Sequence, residues 1–475
     1  MMSQSDPTTS STDRSERRKA GKALRRQIPH SSHGSWAPAA DRPDPISLLQ
    51  EQDRTRLQQL VPIKYGRMSA SPFAFLRGSA PVMAADLKAT PVTGLNTVVC
   101  GDAHISNFGL FASPERKQVF DVNDFDESTH GPWEWDLKRL ATSAVVAARE
   151  NEFGNKASRR MAVTAAETYR AAMGRLSEMN NLEVWYYQTS VDVIERFLER
   201  MASRKFIKKG KELVRDARAR TQQQAVKKLT RMEDGKRRII HQPPLIESFR
   251  KTDLATLLPV EEKYQISVKY IEDTWERYLE SLPEDRRMLL GRFRISDAAL
   301  RAGGVGSVGT RCFIVLLESD ADDEALILQL KEAGPSALAP YLGENGYGQQ
   351  GERVVMGQQL MQASSDIFLG WHTSELTKID YYWRQLKDMK GSAEVADMDE
   401  DMLQSYVAVC SGCLARAHAR TGDAATIVGY MGTKNDSFPR AIADFAEAYA
   451  DQTERDHQAL LDAIESGRVV AQKGI

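Results

Sequence analysis

Residues 303–318 read GGVGSVGTRCFIVLLE. A glycine-rich turn runs straight into a β-branched apolar segment. After the acidic turn SDADDE (319–324) a second such segment follows, EALILQLKEA (324–333). The pair reads as a β-hairpin. Gly304, Gly306 and Gly309 fit GxGxxG, a weak motif by itself. A dinucleotide fold needs a helix after the glycines and an acid some twenty residues on; here a strand follows. No GK[ST] is present, so a P-loop is excluded. Strand, glycines, strand is the form of a flap over a nucleotide, and it makes Gly304, Gly306, Ser307 and Gly309 candidate phosphate-facing residues. An ordinary hairpin with glycine turns is the plainer reading.

Outward from this hairpin, Lys331 ends the strand LILQLK, where an ammonium could meet phosphates. GERVVMGQQLMQAS (351–364) reads as a helix. Its Glu352 could hold Lys331 in place, or could simply be an N-terminal acid favoured by the helix dipole. DIFLGWHT (366–373) and YYWRQLKDMK (381–390) read as two further strands. The order is strand, glycine turn, strand, strand, helix, strand, strand. A strand-rich unit over 291–390 thus sits between helix-rich flanks, 46–290 and 391–475, and residues 1–45, rich in Ser, Thr, Arg and Pro, read as a flexible leader.

The 475 residues can bury a large core, and four cysteines make no disulfide scaffold. The formal net charge of -1 supplies no global field for nucleic acid or anionic membrane. A basic strip from Arg204 to Arg231 could touch phosphates, but a solvated helix explains it equally well. The chain shows neither a secretory signal nor an apolar run of membrane-spanning length, which gives a cytoplasmic expectation. Cys410 and Cys413 form a CxxC inside a helical pattern and read as small core residues rather than a redox pair.

The chemistry concentrates at 100–127. CGDAHISNFG (100–109) follows the short strand NTVVC and brings Asp102, His104 and Asn107 together. The strand QVFDV (118–122) leads into DVNDFDE, which packs Asp121, Asn123, Asp124, Asp126 and Glu127 into seven residues. Such a density of carboxylates is costly unless it is solvated or neutralised. Mg²⁺ is the cation that suits it, since one or two carboxylates plus phosphate oxygens suffice. The twelve-residue spacing of a calcium loop is not met, and zinc lacks a ligand set. An acidic surface turn is the bland alternative, opposed by the interleaved Phe120, Phe125, Trp133 and Trp135.

SPFAFLRG, CGDAHISNFG, VFDVNDFDE, GPWEWDLKRLA, GGVGSVGTR, ERVVMGQQLMQ, DIFLGW and YYWRQLKDMKGS together resemble the bacterial DUF2252 family, a resemblance that assigns no activity. CGDAHISNFG is also similar to the HGDxHxxN loop of aminoglycoside and choline phosphotransferases. That likeness implies Asp102 as the catalytic aspartate, His104 as the loop histidine and Asn107 as a metal ligand. It implies Asp121 as the metal aspartate by spacing, with Asp124 close behind, and Asp136 as a structural aspartate. In those enzymes the glycine-rich lobe precedes the catalytic loop. Here it follows by some two hundred residues, so the implied fold is an α+β, protein-kinase-like two-lobe architecture in circularly permuted order. The implied function is ATP- and Mg²⁺-dependent phosphoryl transfer to a hydroxyl on an unidentified small molecule or protein. Arg77 and Arg384 are further candidates for phosphate or substrate binding, or for packing. Nucleotidyl transfer on the same scaffold and a non-catalytic kinase-like binding module stand as alternatives.

Overall fold

In a computed structural model the structure describes residues 13–474 except 195, 197–203, 253–267, 320–323, 344, 345, 387 and 388. The protein has a mixed α+β fold, with helical regions around small sheets. The chain opens with helices, then forms β1 (Asn96–Val99), β2 (Phe108–Ala112), β3 (Gln118–Val122) and β4 (Thr129–Pro132). β1 pairs with β4, and β2 with β3, both antiparallel. The expected strands at 96–100 and 118–122 are present. β2 and β4 lie in stretches that carry turn-forming polar and glycine residues and give little periodic signal.

The long helices Trp133–Glu150, Asn155–Leu176, Glu400–Ala419 and Ser437–Glu465 share the largest apolar core, with Trp133 stacked on Tyr169 at its centre. Cys410 and Cys413 are buried in the third of these helices as free thiols. Burial pushes both well above the usual thiol range, which disfavours the reactive thiolate.

From Asp13 onward the expected leader is ordered. The helix Arg14–Leu24 lies against the helix Ala424–Met431. Two glycines permit that approach: a Cβ on Gly21 would meet Thr426 O at 1.9 Å, and one on Gly429 would meet Arg18 O at 2.2 Å. Arg25 Nε donates to Tyr430 O at 2.6 Å, and Arg17 pairs with Asp423 at 3.1 Å. The basic strip after Arg204 is only partly helical. It forms Arg204–Ala219 and Gln222–Leu229, then turns into β5 (Thr230–Glu233) and β6 (Lys236–Ile239). No helix among the described residues is long and apolar enough to cross a membrane.

The six-stranded sheet runs in the order β11 (Gly370–Thr373), β12 (Asp380–Gln385), β10 (Ala325–Glu332), β9 (Cys312–Ser319), β8 (Phe293–Arg301), β7 (Ile246–Ser248), antiparallel throughout. The helix Gln350–Met361 falls between β10 and β11 in sequence, as the patterning requires. DIFLGWHT is extended only from Gly370, because Asp366 accepts from Phe368 N at 2.9 Å and closes a turn instead. β10 alternates with period two. Leu326, Leu328 and Leu330 enter the apolar core with Trp383, while Gln329 and Lys331 face the opposite side. Directly across the ladder stand Arg384 and Tyr382, so all four side chains share one face.

Candidate functional site

That polar face of the sheet and the loops after β1 and β3 enclose a cavity of about 1020 Å³. Its walls include Asp102, His104, Asn107, Asp124 and Asp126 from the helical side, and Gly304, Gly306, Ser307, Lys331 and Arg384 from the sheet side. Two parts of the chain about two hundred residues apart, the loop at Asp102 and the glycine turn at Gly304, therefore line one cavity.

The Asp102 loop is fixed from behind. Gly101 has φ +78, and a Cβ there would lie 2.4 Å from Glu127 O, so only glycine fits. Asp136 accepts N–H groups from Cys100 at 2.6 Å and Gly101 at 2.9 Å, and contacts His418 Nε2 at 3.1 Å. This is the structural role implied for Asp136. One turn further along the same helix, Arg139 pairs with Asp102 Oδ1 and donates to Leu76 O at 2.9 Å, which holds the carboxylate in one orientation. His104 Nε2 lies 3.7 Å from Asp102 Oδ2. Burial lowers the His104 pKa to about 4, against the raising effect of Asp102 and with help from Arg77 and Arg139, so its ring is neutral near pH 7.

Asn107 donates its amide to Asp102 O at 3.0 Å and Asp124 O at 3.2 Å, which leaves its Oδ1 as the atom it can offer a cation. Asp124 Oδ1 is buried, has no hydrogen-bond partner among the described residues, and stands 3.8 Å from Lys331 Nζ. Burial pushes the Asp124 carboxyl up, but Lys331, Arg384 and Lys390 outweigh it and hold it below the usual range. Asn107 and Asp124 thus supply two hard oxygen donors at one wall, a set that fits Mg²⁺ only with oxygens from phosphate and water added. Among the described residues no group of three His, Cys, Asp or Glu side chains is arranged to hold a metal unaided.

Asp121 does not belong to this wall. It is a buried residue of β3, paired with Arg416, and accepts from Cys413 Sγ at 3.2 Å and Val122 N at 2.8 Å. Its side chain points into the helical core, while the turn after the strand carries Asp124 and Asp126 to the cavity. The spacing argument that favoured Asp121 over Asp124 is therefore reversed.

Lys331 is buried, with Nζ 2.6 Å from Asp126 Oδ2, and Tyr382 Oη donates to Asp126 Oδ1 at 2.6 Å. Burial acts to lower the ammonium pKa, but Asp124 and Asp126 hold it well above its ordinary value, so Lys331 stays charged. Its expected partner Glu352 does not reach it. A helix turns about 100° per residue, and here it is Arg353 that faces inward, donating to Ser128 O at 2.6 Å, Asp126 O at 2.8 Å and Gly334 O at 2.8 Å. Glu352 stays at the helix N-terminus, outside the cavity wall.

The glycine turn is a short 3₁₀ segment, Val305–Ser307, anchored from the N-terminal region. Arg56 donates to Gly306 O at 2.8 Å, and Arg67 donates to Gly303 O. Gly309 lies off the cavity: with φ +89, its carbonyl accepts from Leu57 N at 2.7 Å. Arg384 Nε donates to Gln329 Oε1 at 2.8 Å along the cavity wall. The sequence offers Asp126 only as one acid in a run and does not point to Arg139, Arg353 or Arg416. The first three lie inside the matching stretches, but nothing local told a wall residue from a brace.

Fold and site together define an α+β protein with a polar, cation-rich cleft between a six-stranded sheet and a helical region. The family model described as "Uncharacterized protein conserved in bacteria (DUF2252)" matches residues 56–463, well over half of the chain, and the chain belongs to that family. Comparison with curated proteins and with solved structures gives no match.

Proposed function

We propose that this chain is an ATP- and Mg²⁺-dependent phosphotransferase acting on a hydroxyl acceptor, with a kinase-like pair of lobes in circularly permuted order. One observation carries the reading: the glycine turn, the charged Lys331 and the Asp102–Asn107–Asp124 wall all face one cavity of about 1020 Å³. The sheet order supports it, since β8, glycine turn, β9, β10, helix, β11, β12 is the succession expected of a nucleotide-covering lobe.

In this reading the glycine turn covers the phosphates, and Lys331, fixed by Asp126, presents a permanent charge to them. Asn107 and Asp124 would hold Mg²⁺, which when bound neutralises phosphate charge. Asp102, oriented by Arg139, positions the acceptor hydroxyl and takes its proton as the bond from that oxygen to the γ-phosphorus forms and the bond to the β–γ bridging oxygen breaks, with ADP leaving.

The test is calorimetric titration of the full chain with ATP, with and without Mg²⁺, and with Asp124→Asn as control. Saturable binding that needs Mg²⁺ and weakens in the variant is expected. Absence of binding in both conditions would sink the proposal. With an acceptor in hand, label should move from the γ position of ATP and be lost in Asp102→Asn; movement of α label instead would make the chain a nucleotidyltransferase.

A further inference from the structure

The cavity holds more positive charge than its own acids balance, and the surplus has a location. Arg77, on the last turn of the helix Pro72–Gly78, lines the cavity beside Asp102 and His104. Among the described residues it has no hydrogen bond or ion pair, and its Nε is buried without a partner. Three neighbouring arginines are committed: Arg139 to Asp102 and Leu76 O, Arg56 to the carbonyls of Gly306 and Val308, Arg353 to three carbonyls. Arg301 and Lys228, also on the cavity wall, make no ion pair among the described residues either.

The position of Arg77 is specific. Its main-chain carbonyl would lie 3.4 Å from a Cβ built on Gly306, so it stands at the seam between the glycine turn and the Asp102 loop. Lys331, with Asp126 and Asp124 as counter-charges, is on the sheet side. A guanidinium with a buried, unpaired N–H is costly unless an anion arrives, and its planar fork suits a phosphate or carboxylate.

We propose that Arg77 anchors a second oxyanion site on the Asp102 side of the cavity, and that the compound accepted there carries a phosphate or carboxylate in addition to its reacting hydroxyl. Assigning the anion to the acceptor rests on the phosphotransfer reading; the existence of the site does not.

The experiment is calorimetric titration of the full chain with inorganic phosphate, and separately with acetate, alone and in the presence of a non-hydrolysable ATP analogue with Mg²⁺. The expected result is saturable anion binding that persists with the analogue bound. It should weaken at least about tenfold in Arg77→Gln and recover in part in Arg77→Lys, while both variants bind the analogue and melt as the unmodified chain does. If one variant fails to fold, the other, judged by the same melting curve, carries the comparison. Anion binding displaced by the analogue, or unchanged in the variants, overturns the second site. Arg77-dependent anion binding in a chain that takes up no analogue keeps the site but removes the acceptor assignment together with the proposed function.

Discussion

Asp121 and Asp126 stand five residues apart in one acidic run, yet they occupy opposite environments. Asp121 is sealed in the helical core, with Arg416 and Cys413 as partners. Asp126 lies at the mouth of a cavity, with Lys331 and Tyr382 as partners and its side chain still 29% exposed. Both carboxylates are paired, so pairing alone does not mark a functional site. The difference lies in what surrounds the pair. A sealed ion pair can only hold the fold together, whereas one beside a polar cavity can be rearranged by a ligand.

The sharpest way to break this contrast is to neutralise each side in turn. Asp121→Asn leaves Arg416, which has no solvent exposure, without its counter-charge. A loss of about 3–5 kcal/mol in urea or thermal unfolding is expected. A variant of normal stability that has lost Mg²⁺-dependent ATP binding would return Asp121 to the site. Next in size is Asp124→Asn, for which Mg²⁺-dependent ATP affinity should fall by at least about tenfold while stability changes by less than about 1 kcal/mol.

Lys331→Met should weaken ATP binding by about tenfold as well, since it removes a charge and no oxygen ligand. Weaker ATP binding at an unchanged Mg²⁺ requirement is the pattern to look for by calorimetry. Glu352→Gln should leave nucleotide affinity within about twofold of the unmodified value, because the side chain lies outside the cavity wall and Lys331 pairs with Asp124 and Asp126 instead; a large loss would mean that the helix rotates on binding. The smallest effect concerns the thiols. Cys410→Ser and Cys413→Ser should each shift stability by about 1 kcal/mol or less, and a colourimetric thiol reagent should label no cysteine until the chain unfolds, since all four are buried.

Much of this arrangement was legible in order rather than in detail. The succession of strands and helix from 293 to 385 follows from alternation and glycine placement, and it matches the observed sheet. CGDAHISNFG announced a loop with Asp102 and Asn107 side by side, and both reach the cavity. What stayed hidden depends on partners distant in sequence or on rotational phase. Nothing near Asp121 reveals that Arg416 waits 295 residues away. Nothing in GERVV says whether Glu352 or its neighbour Arg353 faces inward, because helix phase is set by the packing of Val354, Val355 and Met361. β5 and β6 are short, charged and pair only with each other, while β7, three residues long, takes its place only by pairing with β8 some fifty residues on.

The separation of Asp121 from Arg416 also has a temporal side. A ribosome delivers roughly 5–20 residues per second, so the 295 residues between the partners correspond to a wait on the order of 15–60 s. Through that interval the acidic run exists without its cationic brace, and Asp136 without the His418 that contacts it. The nascent loop and acidic turn therefore emerge with the braces Asp136 and Arg139 close behind but without Arg416 and His418. Their final geometry is set only near the end of synthesis.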